Sequence, residues 1–82
     1  MSLFTWTDRS REELRRIDRE QPLQILLALT EYASSGKGQI KKLKGSGELR
    51  LRVGDYRVRF EVFEEDAYRI LRVGHRREAY RS

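Results

Sequence analysis

The stretch that most constrains the fold is a run of alternating apolar and charged residues between Leu49 and Val62. Apolar side chains occupy every second position, and arginine or glutamate fills the positions between them. Gly54 and Asp55 interrupt the run in its middle. Strict alternation indicates half-buried strands, and glycine at the first position of a two-residue connection favours a type II′ turn. The stretch therefore predicts a β-hairpin with one apolar face.

A two-residue turn also fixes which residues of the hairpin face each other. On the polar face, Arg52 lies opposite Arg57 and Arg50 lies opposite Arg59. Like charges directly opposite each other destabilise a pair of strands by up to about 1 kcal/mol. A sheet face with two such pairs is suited to holding a polyanion, although long arginine side chains can also splay into water, where salt screens their repulsion. The opposed pairs on the apolar face are Val53–Tyr56, Leu51–Val58 and Leu49–Phe60.

The length and composition of the chain limit its class. Its 82 residues predict a single domain, residues 1–82, with a modest core. It contains no cysteine and one histidine, so we expect no disulfide, no metal and no other cofactor. The longest apolar run, Ile25 to Leu29, is too short to span a membrane, and the N-terminus shows no apolar signal segment. We therefore expect a cytoplasmic protein without a membrane partner.

Nearly all of the excess positive charge lies in the second half of the chain. The formal net charge is +5, and the sequence pI is about 10.0. Residues 1–41 contain seven lysines and arginines against six acidic residues, whereas residues 42–82 contain eleven against seven. The excess coincides with the predicted hairpin. A basic sheet beside a balanced helical half indicates a nucleic acid or an acidic protein as the partner.

Two helices are predicted ahead of the hairpin. Thr7, Asp8 and Ser10 are typical of a helix start, and Ser10 and Glu13 have the spacing of a capping box. A short helix is expected to follow, to about Arg19. Gln21 and the proline after it begin a second helix, expected to reach about Ser34, because proline is tolerated in a first turn. The second helix is rich in leucine, so most of its apolar face must pack against the sheet.

Two further strands complete the prediction. Leu3 to Trp6 is a short β-prone segment, and Ala67 to Val73 follows an acidic turn and ends at Gly74. The predicted order is β-α-α-β-β-β, an α+β fold with a mainly antiparallel sheet. Both helices are expected to cover one face of this sheet and to leave open the other face, which carries the arginines of the hairpin.

The residue types in the chain argue against most kinds of catalysis but are compatible with cleavage of RNA. No arrangement of serine, histidine and aspartate is indicated, and the glycines match no phosphate-binding fingerprint. The cationic face, with His75 and Tyr80 nearby, is suited to cleavage of RNA by its own 2′-hydroxyl group. In that reaction the protein positions the phosphate, stabilises the extra negative charge and manages two protons. Arginine suits the second task, since its guanidinium presents a fork of donors and stays charged.

Three segments closely resemble the RelE/ParE superfamily of type II toxins: Leu43 to Gly45, Leu49 to Val58, and Val73 to Tyr80. They read LKG, LRLRVGDYRV and VGHRREAY, and the resemblance covers essentially the whole chain. RelE-like members of the superfamily cut mRNA in the ribosomal A site and stop translation, whereas ParE-like members poison DNA gyrase. The basic set of this chain favours the RelE-like branch, which implies a metal-independent endoribonuclease.

The resemblance also implies roles for individual residues. The residues expected at the catalytic site are an alternating basic pair, an arginine on the next strand, an arginine after Gly74 and a C-terminal tyrosine, namely Arg50, Arg52, Arg57, Arg76 and Tyr80. Those expected to bind RNA around the site are Lys41, Lys42, Lys44, Arg59, His75 and Arg77.

Further implications of the resemblance concern partners. A cognate antitoxin would wrap the toxin with a segment that orders on binding, neutralise the arginine face and form a hetero-oligomer with it. The RNA partners would be mRNA and ribosomal RNA in the A site. Two other functions stay open: a ParE-like gyrase inhibitor without nuclease activity, and an inactive homologue that serves only in antitoxin binding or DNA autoregulation.

Overall fold

The computed structural model describes residues 3–17, 20–43, 45 and 47–75. Five strands form one mixed sheet in the order β1-β5-β4-β3-β2, and two helices lie between β1 and β2 in the chain. The elements are β1 (Leu3–Trp6), α1 (Asp8–Arg15), α2 (Gln21–Ser35), β2 (Gln39–Lys42), β3 (Leu49–Val53), β4 (Tyr56–Glu64) and β5 (Ala67–His75). The predicted α+β class, the two helices and the hairpin are confirmed.

The hairpin of β3 and β4 has the predicted register. All five opposed pairs form, from Val53 opposite Tyr56 beside the turn to Leu49 opposite Phe60. In the turn, Gly54 has a φ of 59°, a left-handed value that glycine adopts without strain. This conformation at the first turn residue fits the predicted turn. A slip of one residue would move every arginine of the hairpin to the other face, so the turn determines the chemistry of the sheet surface.

The structure adds one strand to the predicted order. β2 runs antiparallel to β3 at the edge of the sheet, with Ile40 opposite Leu51 and Lys41 opposite Arg50. The sequence of β2, QIKK, has a single apolar residue, so its pattern did not indicate a strand. Its stability comes from the partner strand, because Ile40 packs against the core that contains Leu51. As a consequence, Lys41 lies on the same side of the sheet as Arg50.

β5 is longer than predicted. It continues through Gly74 to His75 because both residues pair with β4, Gly74 opposite Arg57 and His75 opposite Tyr56. Glycine weakens a strand but does not end one whose neighbour is long enough to pair with it. The extension brings β5 alongside the turn end of the hairpin.

α1 covers the edge of β5 that β1 leaves unpaired. β1 pairs in parallel with the first part of β5 and ends at Trp6, opposite Ile70. Farther along β5, the carboxylate of Glu13 accepts hydrogen bonds from Val73 N at 2.9 Å and from Arg72 Nε at 3.1 Å. A side chain of α1 thus takes the place of a missing strand and ties the helix to the sheet.

The predicted capping box of Ser10 and Glu13 was wrong. Thr7 is the N-cap of α1, and its hydroxyl oxygen accepts a hydrogen bond from Ser10 N at 3.1 Å. Ser10 is fully buried, and Glu13 is committed to β5. The helix also ends earlier than predicted, at Arg15. The carboxylate of Glu13, which the local pattern predicts to cap the helix, instead accepts a hydrogen bond from Val73 N on β5.

The core lies between α2 and the apolar face of the sheet. Ile25 and Leu29 of α2 are buried, and Phe60 of β4 makes edge contacts with Tyr32 and Tyr68 at ring-centroid distances of 5.6 and 6.1 Å. The other buried core residues on the strands are Leu51, Val58, Ile70 and Val73. This packing fixes β3, β4 and β5, and with them the position of the arginines on the opposite face.

The environment of Tyr68 indicates that the free energy of unfolding falls at high pH. Burial raises the pKa of Tyr68 above its usual value of about 10, and the nearby Asp66 and Tyr32 raise it further. Because the folded state favours the protonated phenol, Tyr68 contributes its full stabilisation below a pH of about 10, the pKa of the unfolded state. This contribution is lost as the pH rises through the pKa of the folded state. Urea unfolding across that range should show a smaller loss of the free energy of unfolding for Tyr68→Phe than for the wild type. Equal losses would show that Tyr68 is not the group responsible.

Candidate anion-binding site

Four arginines share the sheet face that points away from the core. The hairpin register places Arg52 opposite Arg57 and Arg50 opposite Arg59. The alternate residues of the same strands enter the core, so the arginines must project from the other side. β2 adds Lys41 to this surface, which we call the arginine face.

Arg57 is held in a fixed position on the arginine face. Only 6% of the residue is exposed. Its Nη1 atom donates to Gly54 O at 3.1 Å and to Tyr56 O at 3.0 Å, so the hairpin turn itself holds the guanidinium. Arginine has five N–H donors, and within the described residues those on Nε and Nη2 are left for another acceptor. A guanidinium fixed in this way needs little reorganisation to bind an anion.

An open cleft of about 210 Å³ lies beside Arg57. Arg52 on its wall is exposed, and no carboxylate of the described residues forms an ion pair with Arg52 or Arg57. Four of the lining residues are cationic and none is acidic, so the cleft is suited to a phosphate or a carboxylate. The lining residues are Gln39, Ile40, Lys41, Arg50, Arg52 and Arg57. We call this the anion-binding cleft.

The rest of the arginine face is neutralised by carboxylates. Arg59 donates from Nη2 and from Nε to Glu48 Oε2, at 2.6 and 2.9 Å. Two more ion pairs follow along the sheet, Arg69–Glu61 at 3.0 Å and Arg72–Glu13 at 3.0 Å. Among the described residues of this sheet face, the positive charge open to a ligand is therefore concentrated at the turn end of the hairpin.

Some residues predicted to bind RNA lie away from the anion-binding cleft. Lys42 is opposite Leu49, so it projects to the other side of β2 from Lys41. His75 lies opposite Tyr56, with the two rings 5.7 Å apart, and both line a separate cleft of about 280 Å³ at the end of α1. The structure thus brings together Lys41 and the arginines at the turn end, but not Lys42 or His75.

The surroundings of the arginines include residues that the sequence pattern did not indicate as part of a site. Sequence reasoning missed Gln39 and Ile40, which line the cleft, because β2 was not predicted. It also missed Glu48, although Glu48 has even spacing with Arg50 and Arg52 and so belongs on their side of β3. The predicted site residues that fall outside the described part of the chain are Lys44, Arg76, Arg77 and Tyr80.

No group of three or more His, Cys, Asp or Glu residues within the described part of the chain is placed to hold a metal ion. Neither of the helices described is long and apolar enough to cross a membrane.

Two helices on one face of a five-stranded mixed sheet, with a cationic cleft on the other face, agree with the RelE/ParE superfamily of type II toxins, to which the family match of the sequence assigns the chain. The sequence narrows the assignment, since residues 4–80 match the family described as the ParE toxin of type II toxin-antitoxin system, parDE. The chain belongs to this family. A comparison with curated proteins gave no match.

Solved structures show the same fold. A chain of the RelB–RelE antitoxin–toxin complex from Methanococcus jannaschii is 29% identical, with a TM-score of 0.75 over 94% of this chain and 95% of that chain. The isolated RelE toxin of E. coli is 20% identical, with a TM-score of 0.76 over 99% and 97% of the two chains. YoeB, from a dimer of the Staphylococcus aureus protein, is 18% identical, with a TM-score of 0.75 over 90% and 95%. At these last two identities the likeness concerns the fold alone.

Proposed function

We propose that this toxin is a ribosome-dependent endoribonuclease that cuts mRNA in the A site and needs no metal ion. The observation that carries the proposal is the anion-binding cleft, in which the hairpin turn fixes Arg57 beside Arg52, Arg50 and Lys41. Guanidinium groups bind phosphate through forked donors and keep their charge. The resemblance to RelE-like toxins supports mRNA as the source of that phosphate.

In the proposed reaction the RNA brings its own nucleophile. The 2′-oxygen attacks the adjacent phosphorus, a P–O2′ bond forms, and the P–O5′ bond breaks to leave a 2′,3′-cyclic phosphate and a 5′-hydroxyl. Arg52 and Arg57 hold this phosphate and offset the negative charge that develops on it, and Arg50 supports them or contacts the next phosphate.

Two protons must move in this reaction. One leaves the 2′-hydroxyl as the P–O2′ bond forms, and one reaches the 5′-oxygen as the P–O5′ bond breaks. We assign these steps to Tyr80 and Arg76, which lie outside the described residues. Tyr80 assists the 2′-hydroxyl or orients the nucleotide by stacking, and Arg76 serves the leaving oxygen. Lys41, Lys42 and Lys44 add a salt-sensitive attraction to ribosomal RNA.

The proposed protein partner is a cognate antitoxin. Several similar solved structures are toxin–antitoxin complexes, including the RelB–RelE complex described above. Acidic side chains of such a partner would neutralise Arg50, Arg52 and Arg57 in the cleft. The resulting hetero-oligomer would form in the cytoplasm, where the ribosomal target lies.

A second candidate function is inhibition of DNA gyrase without nuclease activity. The observation that favours it is the family match, which is to ParE toxins. In that case the arginines of the anion-binding cleft would bind an acidic protein surface rather than RNA.

Parallel assays of mRNA cleavage and of gyrase separate the two functions, and Arg52→Ala tests the part of the cleft in cleavage. Arg52 is exposed and forms no ion pair within the described residues, so its removal should leave the fold intact. In a translating extract, primer extension should show new mRNA ends in the A-site codon with wild-type toxin, formed about 10²-fold more slowly by Arg52→Ala. Intact mRNA, together with trapped gyrase–DNA complexes in a parallel supercoiling assay, would overturn the nuclease proposal and support the second function.

A further inference from the structure

We infer that Glu48 is a built-in counter-ion that keeps Arg59 from binding RNA and so limits the phosphate-binding site to the turn end of the sheet. The inference rests on the proposed function, since it takes RNA as the polyanion in the cleft. It concerns an ion pair that the proposed reaction does not use, and it assigns that pair a role in setting how many phosphates the toxin contacts.

The ion pair occupies one of the forks of donors with which Arg59 could bind a phosphate, and it offsets the charge of the guanidinium. Nη2 and Nε of Arg59 both donate to Oε2 of Glu48, at 2.6 and 2.9 Å. Guanidinium groups bind phosphate through two parallel donors of this kind. A phosphate and the carboxylate of Glu48 would therefore compete for the same side of the guanidinium.

Burial favours the carboxylate in this competition. The side chains of Arg59 and Glu48 are each 19% exposed, whereas those of Arg69 and Glu61 are 45% and 33% exposed. Charges that are partly removed from water attract each other more strongly and are screened less by salt. The backbone also holds Glu48 in place, because its carbonyl oxygen accepts a hydrogen bond from Leu43 N at 2.9 Å.

The neighbours of Arg59 explain why a counter-ion is placed there. Arg59 lies between Arg50 on β3 and Arg72 on β5, directly opposite each of them. Three cations side by side across a sheet repel each other. Glu48 offsets the charge at Arg59, and Glu13 offsets that at Arg72. Arg50 is then the last cation of this row that lines the anion-binding cleft.

Without the charge of Glu48, the phosphate-binding surface would extend along β4. Arg59 is two residues from Arg57, about 7 Å at the usual rise of a strand. An RNA backbone held at Arg57 could therefore reach Arg59. The charge at position 48 decides whether contacts with the RNA end in the cleft or continue beyond it.

The test is the salt dependence of RNA binding by Glu48→Gln, measured by fluorescence anisotropy with a labelled single-stranded RNA. Glutamine keeps the shape of the side chain and an oxygen that accepts from Arg59, but it removes the charge. Each added phosphate contact steepens the slope of log K against log salt concentration by about 0.7 for single strands. We expect the slope for Glu48→Gln to be steeper than that of the wild type by about this amount.

Glu61→Gln is the matched control, since it also removes one carboxylate from an arginine on this sheet. Glu61 is four residues from Arg57, about 13 Å along β4, so this variant should keep the wild-type slope. In an Arg59→Gln background, Glu48→Gln should also leave the slope unchanged. The inference would be overturned by a wild-type slope for Glu48→Gln, or by equal steepening for Glu61→Gln.

The same titration distinguishes this inference from the proposed function. If Arg52→Ala binds the RNA with wild-type affinity and slope, RNA is not the ligand of the cleft, and both the proposed function and the role of Glu48 fail. If Arg52→Ala weakens binding and flattens the slope while Glu48→Gln behaves as the wild type, the role of Glu48 alone fails.

Discussion

Replacing Arg57 by alanine is expected to lower the rate of mRNA cleavage by about 10²–10³-fold, because it removes a fixed donor aimed at the charge of the transition state. Arg57→Lys should be nearly as inactive. A lysine amine is a compact point charge, and it cannot bond to Gly54 O and Tyr56 O while it also presents a fork of donors to the cleft. The measurement is the single-turnover rate of cleavage on ribosomes programmed with a defined A-site codon.

Two comparisons keep this result interpretable. Arg69→Ala removes an arginine that pairs with Glu61 outside the anion-binding cleft, and it should cleave at close to the wild-type rate. The hydrogen bonds of Arg57 to the turn also contribute about 1–3 kcal/mol to stability. Urea unfolding must therefore show that Arg57→Ala and Arg57→Lys are folded under the assay conditions. Wild-type cleavage by folded Arg57→Ala would contradict the assignment of Arg57 to the site.

Phe60→Ala is expected to lower the free energy of unfolding by about 3–5 kcal/mol, because Phe60 is 0% exposed and leaves a large cavity when it is truncated. This is a large share of the 5–15 kcal/mol that stabilises most domains. Phe63→Ala is the matched control on the same strand. Phe63 is 41% exposed, with the guanidinium of Arg69 at 4.8 Å from its ring centre, and its loss should cost no more than about 1 kcal/mol. Equal costs in urea unfolding would contradict the assignment of Phe60 to the core.

The parts of the fold that were predicted correctly are those determined by local sequence. The alternation on either side of Gly54 gave the hairpin and its register, because a period of two and a short turn allow one alignment of the strands. Gln21–Ser35 was predicted to within one residue at its end, since proline marks its start and Gly36 its end. β2 could not be predicted, because its stability depends on pairing with a strand farther along the chain. Glu13 was assigned to a cap for the same reason, as its partners on β5 are distant in sequence.

The candidate site was predicted to the extent that it depends on the hairpin alone. The arginines at the turn end follow directly from the alternation of β3 and β4. The placement of Lys41 required β2, and the side on which His75 lies required β5 to continue past Gly74. The ion pair of Arg59 involves Glu48, which precedes the alternating run on the neighbouring segment of the chain. Each of these features depends on a pairing between segments, which the pattern of a single segment does not contain.

The most direct test of the central claim is the chemical nature of the new mRNA end. Wild-type toxin is allowed to act on programmed ribosomes, and the 3′ end of the upstream fragment is identified by mass spectrometry. Attack by the 2′-hydroxyl predicts a 2′,3′-cyclic phosphate at a cut inside the A-site codon, formed about 10²–10³-fold more slowly with Arg57→Ala. A 3′-hydroxyl end would contradict the account, since the 2′-oxygen would not have been the nucleophile. Full-length mRNA after incubation with the wild-type toxin would contradict it as well, and the anion-binding cleft would then have to serve a partner other than RNA.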